Sequence, residues 1–227
     1  MRKTLLPFLL AFATLVISTI PHAQAYIITT NYYPAYAEGG IVLNKGQASN
    51  MIGDRYTGTI RFNSYAYGVN PYESEVYAWM IQSWSASGGE QTTINAYTRL
   101  QGLIGKAGLG LARLTLTLKA WWKETRWSGQ GGTYATTSKV FEAGEEKWFS
   151  NQAEKLTISF YNPWKSGRDD DGSVYSLKMG LYVTGYTKAG WWPYPLPATG
   201  QGYLYFYTFG SNPCYIVLDR FEVIRSA

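Results

Sequence analysis

Carboxylates are the side chains through which this chain could do acid–base chemistry. Glu73 and Glu75 lie on one side of a strand start, and Glu142, Glu145, Glu146, Asp219 and Glu222 complete the set. Two carboxyls about 5 Å apart suit a retaining glycosidase, and a wider gap suits an inverting one. Apart from an isolated Ser–Lys pair, the other routes are closed. The one histidine, His22, falls in a segment expected to be removed, so the mature chain has no imidazole. A Ser-His-Asp triad, a Cys-His pair and imidazole- or thiolate-built zinc or copper sites all need what is missing. The one cysteine, Cys214, forbids an internal disulfide. Within Cys214-Tyr-Ile-Val-Leu218 it reads as a small buried hydrophobe, with a bridge to another chain as the alternative. Arg168-Asp-Asp-Asp-Gly172 offers Asp169, Asp170 and Asp171 as a weak calcium candidate. The segment lacks the spaced Asp-x-Asp-x-Asp pattern of a calcium loop, so a solvated hairpin turn is the reading, and no cofactor is expected.

Two stretches add an enzyme alternative. Glu75-Val-Tyr-Ala-Trp-Met80 resembles the nucleophile strand of the jelly-roll endoglucanases, and Tyr207-Thr-Phe-Gly-Ser-Asn-Pro213 resembles their acid/base strand. The resemblance implies a carboxylate-based glycoside hydrolase. It fails at one decisive position, because Asn212 stands where the family carries its acid/base Glu, and the two stretches are too far apart.

Aromatic residues on polar faces point to contact instead of catalysis. Trp121 sits between Lys119 and Lys123, Tyr182 and Tyr186 flank Thr184, and Tyr65 and Tyr67 follow Arg61 and Asn63. A flat ring among hydroxyls and amides suits a sugar, whose C–H face covers the ring while its hydroxyls bond the neighbours. The same rings suit burial against another protein. Gly190-Trp-Trp-Pro-Tyr-Pro-Leu-Pro197 holds Trp191, Trp192 and Tyr194 on a polyproline-like segment, either as a binding loop or as a cap on the fold. The β-branched, aromatic run Tyr26-Ile-Ile-Thr-Thr-Asn-Tyr-Tyr33 reads as a first strand. Its functional alternative is donation into a neighbour's sheet through Tyr26, Ile28, Thr30 and Tyr32.

These side chains must be positioned by strands. Period-2 alternation is clearest over 112–123, where Ala112, Leu114, Leu116, Leu118, Ala120 and Trp122 form an apolar face. The opposite face carries Arg113, Thr115, Thr117, Lys119, Trp121 and Lys123. Similar patterns predict strands over 57–67, 155–161, 173–188 and 203–209, with weaker ones over 26–33, 76–84, 91–99, 133–142 and 214–224. Turn signals at Gly39-Gly40, Gly88-Gly89, Gly131-Gly132, Asn162-Pro163 and Asp171-Gly172 separate them. One short helix is predicted from Glu145 to Glu154. The fold class expected is all-β, a two-sheet antiparallel sandwich of jelly-roll type.

The first 25 residues read as a cleaved signal peptide. Arg2 and Lys3 precede the apolar stretch Leu5 to Ile20, and Ala23-Gln24-Ala25 offers the small residues of a cleavage site. Residues 26–227 are then one β-sandwich domain of about 200 residues, secreted or held at the cell surface. Of the chain's 20 Lys and Arg, Arg2 and Lys3 lie in the leader; the remaining 18 alternate with the 15 Asp and Glu without a basic run, which argues against nucleic acid. The function expected is contact: a non-enzymatic structural or adhesive protein that self-assembles, through strand donation into a filament, or binds glycan. A membrane role would come through a retained signal anchor or as an outer-membrane barrel or pore, because alternation alone does not say which face turns outward.

Overall fold

The computed structural model describes residues 27–33, 38–45, 49–54, 56–68, 72–190 and 199–226. The segment read as a signal peptide (residues 1–25), Tyr26, and Trp191, Trp192 and Tyr194 lie outside the described residues.

The strands, in chain order, are β1 (Ile27–Tyr32), β2 (Glu38–Lys45), β3 (Ser49–Asp54), β4 (Thr59–Gly68), β5 (Glu73–Ser83), β6 (Glu90–Gly108), β7 (Leu111–Glu124) and β8 (Gly131–Glu142). They continue with β9 (Lys147–Asn162), β10 (Gly167–Arg168), β11 (Val174–Lys188), β12 (Gly200–Tyr205), β13 (Thr208–Phe209), β14 (Asn212–Pro213) and β15 (Tyr215–Ser226). Sheet I runs β1-β15-β4-β12-β6-β9, with β3 paired to β4; sheet II runs β2-β5-β11-β7-β8, with β10 paired to β11. Every pairing is antiparallel. The chain crosses repeatedly between the sheets, as in β4 to β5, β5 to β6 and β6 to β7, which is how a jelly-roll sandwich is connected.

Alternation explains which faces meet. Leu114, Leu116 and Leu118 of β7 and Leu177, Met179, Leu181 and Val183 of β11 turn inward against Ile60, Phe62, Ile94, Leu100 and Ile216 of sheet I. Each such side chain contributes roughly 1.5–3 kcal/mol on leaving water. Rings bind the middle of this core: Phe206 lies 5.6 Å from Phe62 and 6.0 Å from Phe149. Gly185 faces them, and a Cβ there would come within 2.6 Å of the Phe62 ring. At one end a second aromatic group forms, with Trp164 stacked on Tyr175 at 4.4 Å and Trp84 edge-on to Phe160. Cys214 is fully buried, and burial raises its thiol pKa.

Apolar residues therefore face inward, opposite to a membrane barrel, whose apolar face meets lipid. Among the described residues no helix is long and apolar enough to cross a membrane. The helix predicted from Glu145 to Glu154 is instead the start of β9, whose Phe149 and Leu156 turn into the core. Residues from Lys147 onward pair with β6 instead. The strand predicted over 203–209 is two, β12 and β13, broken at Phe206–Tyr207 where Phe206 drops into the core. Gly39-Gly40, read as a turn, lies inside β2, and Gly131-Gly132 opens β8 instead of ending a hairpin.

Candidate functional site

Three strands of sheet II present the outward faces on which the site is built. Antiparallel register places Trp79 of β5, Tyr182 of β11 and Thr117 of β7 in one row. The next rows toward one end bring Gly180 between Ile81 and Lys119, then Lys178 between Ser83 and Trp121. Toward the other end lie Thr184 between Tyr77 and Thr115, then Tyr186 between Glu75 and Arg113. Period 2 sends all of these side chains away from the core.

Trp121 and Tyr182 form the centre of this face, with ring centroids 6.4 Å apart and Lys119 Nζ 5.9 Å above the indole. Gly180 lets them close in. A Cβ there would stand 3.1 Å from the Tyr182 ring and 3.3 Å from both Trp121 and Ile81. Burial raises the Tyr182 phenol. Beside Trp121 opens a cavity of about 280 Å³, lined by Lys119, Lys123, Gly129, Gly132 and Thr133 among others.

The wall of that cavity depends on Glu124, the last residue of β7. Its carboxylate accepts backbone N–H bonds from Arg126, Trp127, Ser128 and Gly129 at 2.6–3.1 Å, and a further bond from the Ser128 hydroxyl. Desolvation pushes this carboxyl up, but the cluster of backbone donors outweighs it and holds the pKa at about 2. A buried anion thus folds the 125–130 loop around itself and delivers Gly129 beside the indole.

A second concavity of about 510 Å³ lies at the other end, among Glu75, Tyr77, Arg113, Thr115, Thr184 and Tyr186. Burial, then a hydrogen bond to Glu73 and the charges of Glu73 and Glu75, push the Tyr186 phenol up to about 12. Tyr77 donates to Glu75, Lys188 Nζ stands 3.4 Å from Glu73, and Arg113 pairs with Glu142 at 2.5 Å. The pocket presents rings, hydroxyls, a guanidinium and a carboxylate together.

Trp121, Tyr182 and Tyr186 are thus brought onto one face, each half-buried. Tyr77, Trp79 and Ile81 join them without having been singled out; their alternation with Val76, Ala78 and Met80 was the signal. Ile28, Thr30 and Tyr32 lie in β1 at the far edge of sheet I, paired with β15 of the same chain. Tyr32 Oη accepts the Ser85 N–H at 3.1 Å. Tyr65 and Tyr67 stack at 6.4 Å on the outward face of sheet I, where Tyr203 and Tyr205 tile beside them.

The remaining candidates do not converge. Among the described residues no group of His, Cys, Asp or Glu could hold a metal ion. Asp169 and Asp171 accept local N–H bonds from Asp170 and Ser173, which makes the calcium candidate a turn. The stretch 207–213 is not a strand opposite Glu75: its halves pair with each other as β13 and β14, with Asn212 opposite Phe209. Glu142 stands three strands from Glu75, about 14 Å at ordinary strand spacing, beyond glycosidase separations. Glu90, whose carboxyl burial holds above its ordinary pKa, is inside the protein, 5% exposed and 3.9 Å from Arg225.

No family model and no curated protein sequence matches this chain. Among solved structures, it is similar to a carbohydrate-binding module studied for specific mannan recognition, at 9% identity and TM-score 0.32, covering 89% of this chain and all of that one. It is similar to a family 11 carbohydrate-binding module from Clostridium thermocellum in complex with a mixed-linked tetrasaccharide, at 9% identity and TM-score 0.23, covering 84% and 95%. A structure of infectious bursal disease virus stands at a comparable level, 9% identity and TM-score 0.26, covering 89% of this chain and 42% of that one. At scores this low the likenesses decide nothing about ligand or chemistry.

Proposed function

We propose that this chain is an exported, non-enzymatic contact protein whose outward face of sheet II binds a hydroxyl-rich, neutral glycan. The leader-like segment through Ala25 supports export. The Trp121–Tyr182 platform over Gly180 carries the reading: two half-buried rings, flanked by Lys119, Thr117 and Lys178 in register, face outward from a rigid sheet. Sugar C–H faces cover such rings, and the concavities at either end give hydroxyls their donors and acceptors.

Trp121→Ala and Tyr182→Ala test it against a panel of neutral polysaccharides by affinity electrophoresis. Each should weaken binding about tenfold or more, the scale of a contact hot spot. Each should shift the thermal midpoint by no more than about 2 °C, as a surface change does. A parent protein that binds no member of the panel sinks the reading.

Self-assembly by strand exchange is the second reading, and the shallow seating of β1 supports it. Its six residues alternate between exposed and half-buried, and none is fully buried, so an exchange would uncover little core.

A further inference from the structure

A cluster of cations on the opposite face remains without a role in neutral glycan binding. Between β6, β9 and β15 the outward face of sheet I has a cavity of about 220 Å³, lined by Tyr97, Arg99, Lys155, Asp219 and Arg220 among others. A β-bulge builds it. The register of β15 against β6 slips between Leu218 and Arg220, so Asp219 and Arg220 both stand partly exposed instead of alternating. Asp219 then grips Arg99, taking Nε at 2.9 and 3.0 Å and Nη2 at 2.5 Å. Arg220 lies over the Tyr97 ring, with Cζ 4.0 Å from its centroid, and Lys155 Nζ approaches the same ring to 5.3 Å.

The carboxylates around this cavity already hold hydrogen-bond partners. Asp219 belongs to Arg99, Glu154 accepts from Lys139 and Gln152, and Glu222 accepts Asn95 Nδ2 at 2.7 Å and Tyr97 Oη at 2.9 Å. Lys155 and Arg220 form no salt bridge among the described residues. Two cations therefore converge on one aromatic ring; they feel the charge of Glu222 through space but form no salt bridge with it. Around them the sheet is carpeted with short polar side chains, including the pairs Thr93–Ser159 and Thr157–Asn95. That surface suits a hydroxylated polymer better than an apolar partner.

We propose that Lys155 and Arg220, held over Tyr97 by the bulge at Asp219, form a subsite for the anionic group of an acidic polysaccharide. The group is a uronate carboxylate or a sulfate ester, which share the required charge and planar or tripodal oxygens. The inference takes its polymer class from the glycan reading and uses none of the residues of the sheet II face.

The test compares the parent, Lys155→Gln/Arg220→Gln and Trp121→Ala on polygalacturonate, dextran sulfate and a neutral galactan. The double variant should lose about tenfold or more in affinity for an acidic polymer, the scale of charge-assisted bonds, and keep galactan binding. Trp121→Ala should do the reverse. Loss on polygalacturonate alone identifies the carboxylate, and loss on dextran sulfate alone identifies the sulfate. If the double variant melts early, Lys155→Gln alone decides, since that side chain is exposed and outside the core. Unchanged binding of both acidic polymers by the variants overturns the inference, as does a parent that binds galactan but neither acidic polymer. Binding confined to anionic lipid vesicles overturns it too, by assigning the cations to a membrane. A parent that binds the acidic polymers but no neutral one leaves this subsite standing and removes the neutral reading of sheet II.

Discussion

The two outward faces of the sandwich combine rings and charges in opposite ways. On sheet II the rings are central: Trp121 and Tyr182 close over Gly180, and a single cation, Lys119, stands 5.9 Å from the indole. On sheet I, around Tyr97, the charges are central: Arg220 and Lys155 cover the ring, and Asp219 and Glu222 tie the surrounding donors into fixed pairs. An open ring offers dispersion and a C–H-facing surface without specifying charge. A ring roofed by cations has given up that surface and keeps a fixed positive field. The same residue types thus make two different binding chemistries, and strand register decides which.

Removing β1 should disturb this pairing of faces most. Deleting residues 26–32 bares the edge of β15, the strand that carries Arg220 and Asp219, and reaches sheet II only through Tyr32, whose Oη accepts the Ser85 N–H just past β5. The expected product is folded by circular dichroism, retains neutral glycan binding, and associates with increasing concentration in sedimentation. A synthetic peptide of the segment should reverse that association. A deletion variant without a cooperative melt would show that β1 is integral, and strand exchange would fall.

Glu124→Gln should have the next largest effect, confined to sheet II. The Gln cannot satisfy the backbone N–H groups of Arg126, Trp127, Ser128 and Gly129 as a carboxylate does, so the wall beside Trp121 loosens. Neutral glycan binding should weaken several-fold while the sheet I cavity keeps its affinity. The pH dependence has a definite sign. The folded pKa of about 2 lies below the ordinary 4.5, so the stabilisation is complete above 4.5 and is lost as pH falls toward about 2. Melting midpoints of parent and variant should differ at neutral pH and converge through that window. A gap that stays constant from pH 6 to pH 2 would show that the ionised form contributes nothing.

The smallest change is Gly180→Ala. The new Cβ meets only side chains, at 3.1–3.3 Å, so Tyr182, Trp121 and Ile81 can yield by a few tenths of an ångström. The thermal midpoint should hold or rise, because Ala has less backbone freedom to lose than Gly. Affinity on sheet II should move by about twofold, the size of a surface perturbation. A tenfold loss would mean that the ring spacing itself is the recognition element. No change at all would separate the rings from binding.

Much of this architecture was legible in period-2 alternation. The inward set of β7 and the outward set of β11, with Tyr182 and Tyr186 on it, stand where the pattern puts them. Long-range pairing was not legible. Nothing local says that Lys147–Glu154 extends a strand until β6 lies beside it. Nor could alternation find the Lys155–Tyr97–Arg220 cluster. It depends on a one-residue slip at Asp219, and a period-2 reading assigns Asp219 and Arg220 to opposite faces. Trp79 and Gly180 were missed for a related reason: each matters only through its cross-strand neighbour.

The position of β15 has a kinetic consequence. Tyr215–Ser226 is not an edge but an interior strand of sheet I, flanked by β6 along one side and by β4 and then β1 along the other. Synthesis reaches these residues only after every other strand of sheet I, so the sheet stays incomplete beside β6 until β15 is made. Before then β1 has no partner, and Ile216, Leu218, Phe221 and Val223 are missing from the core. The emerging chain is therefore held open by its own topology, and cooperative closure waits on pairing between β1 and β15, strands far apart in sequence, whose contacts are among the slowest a chain can make.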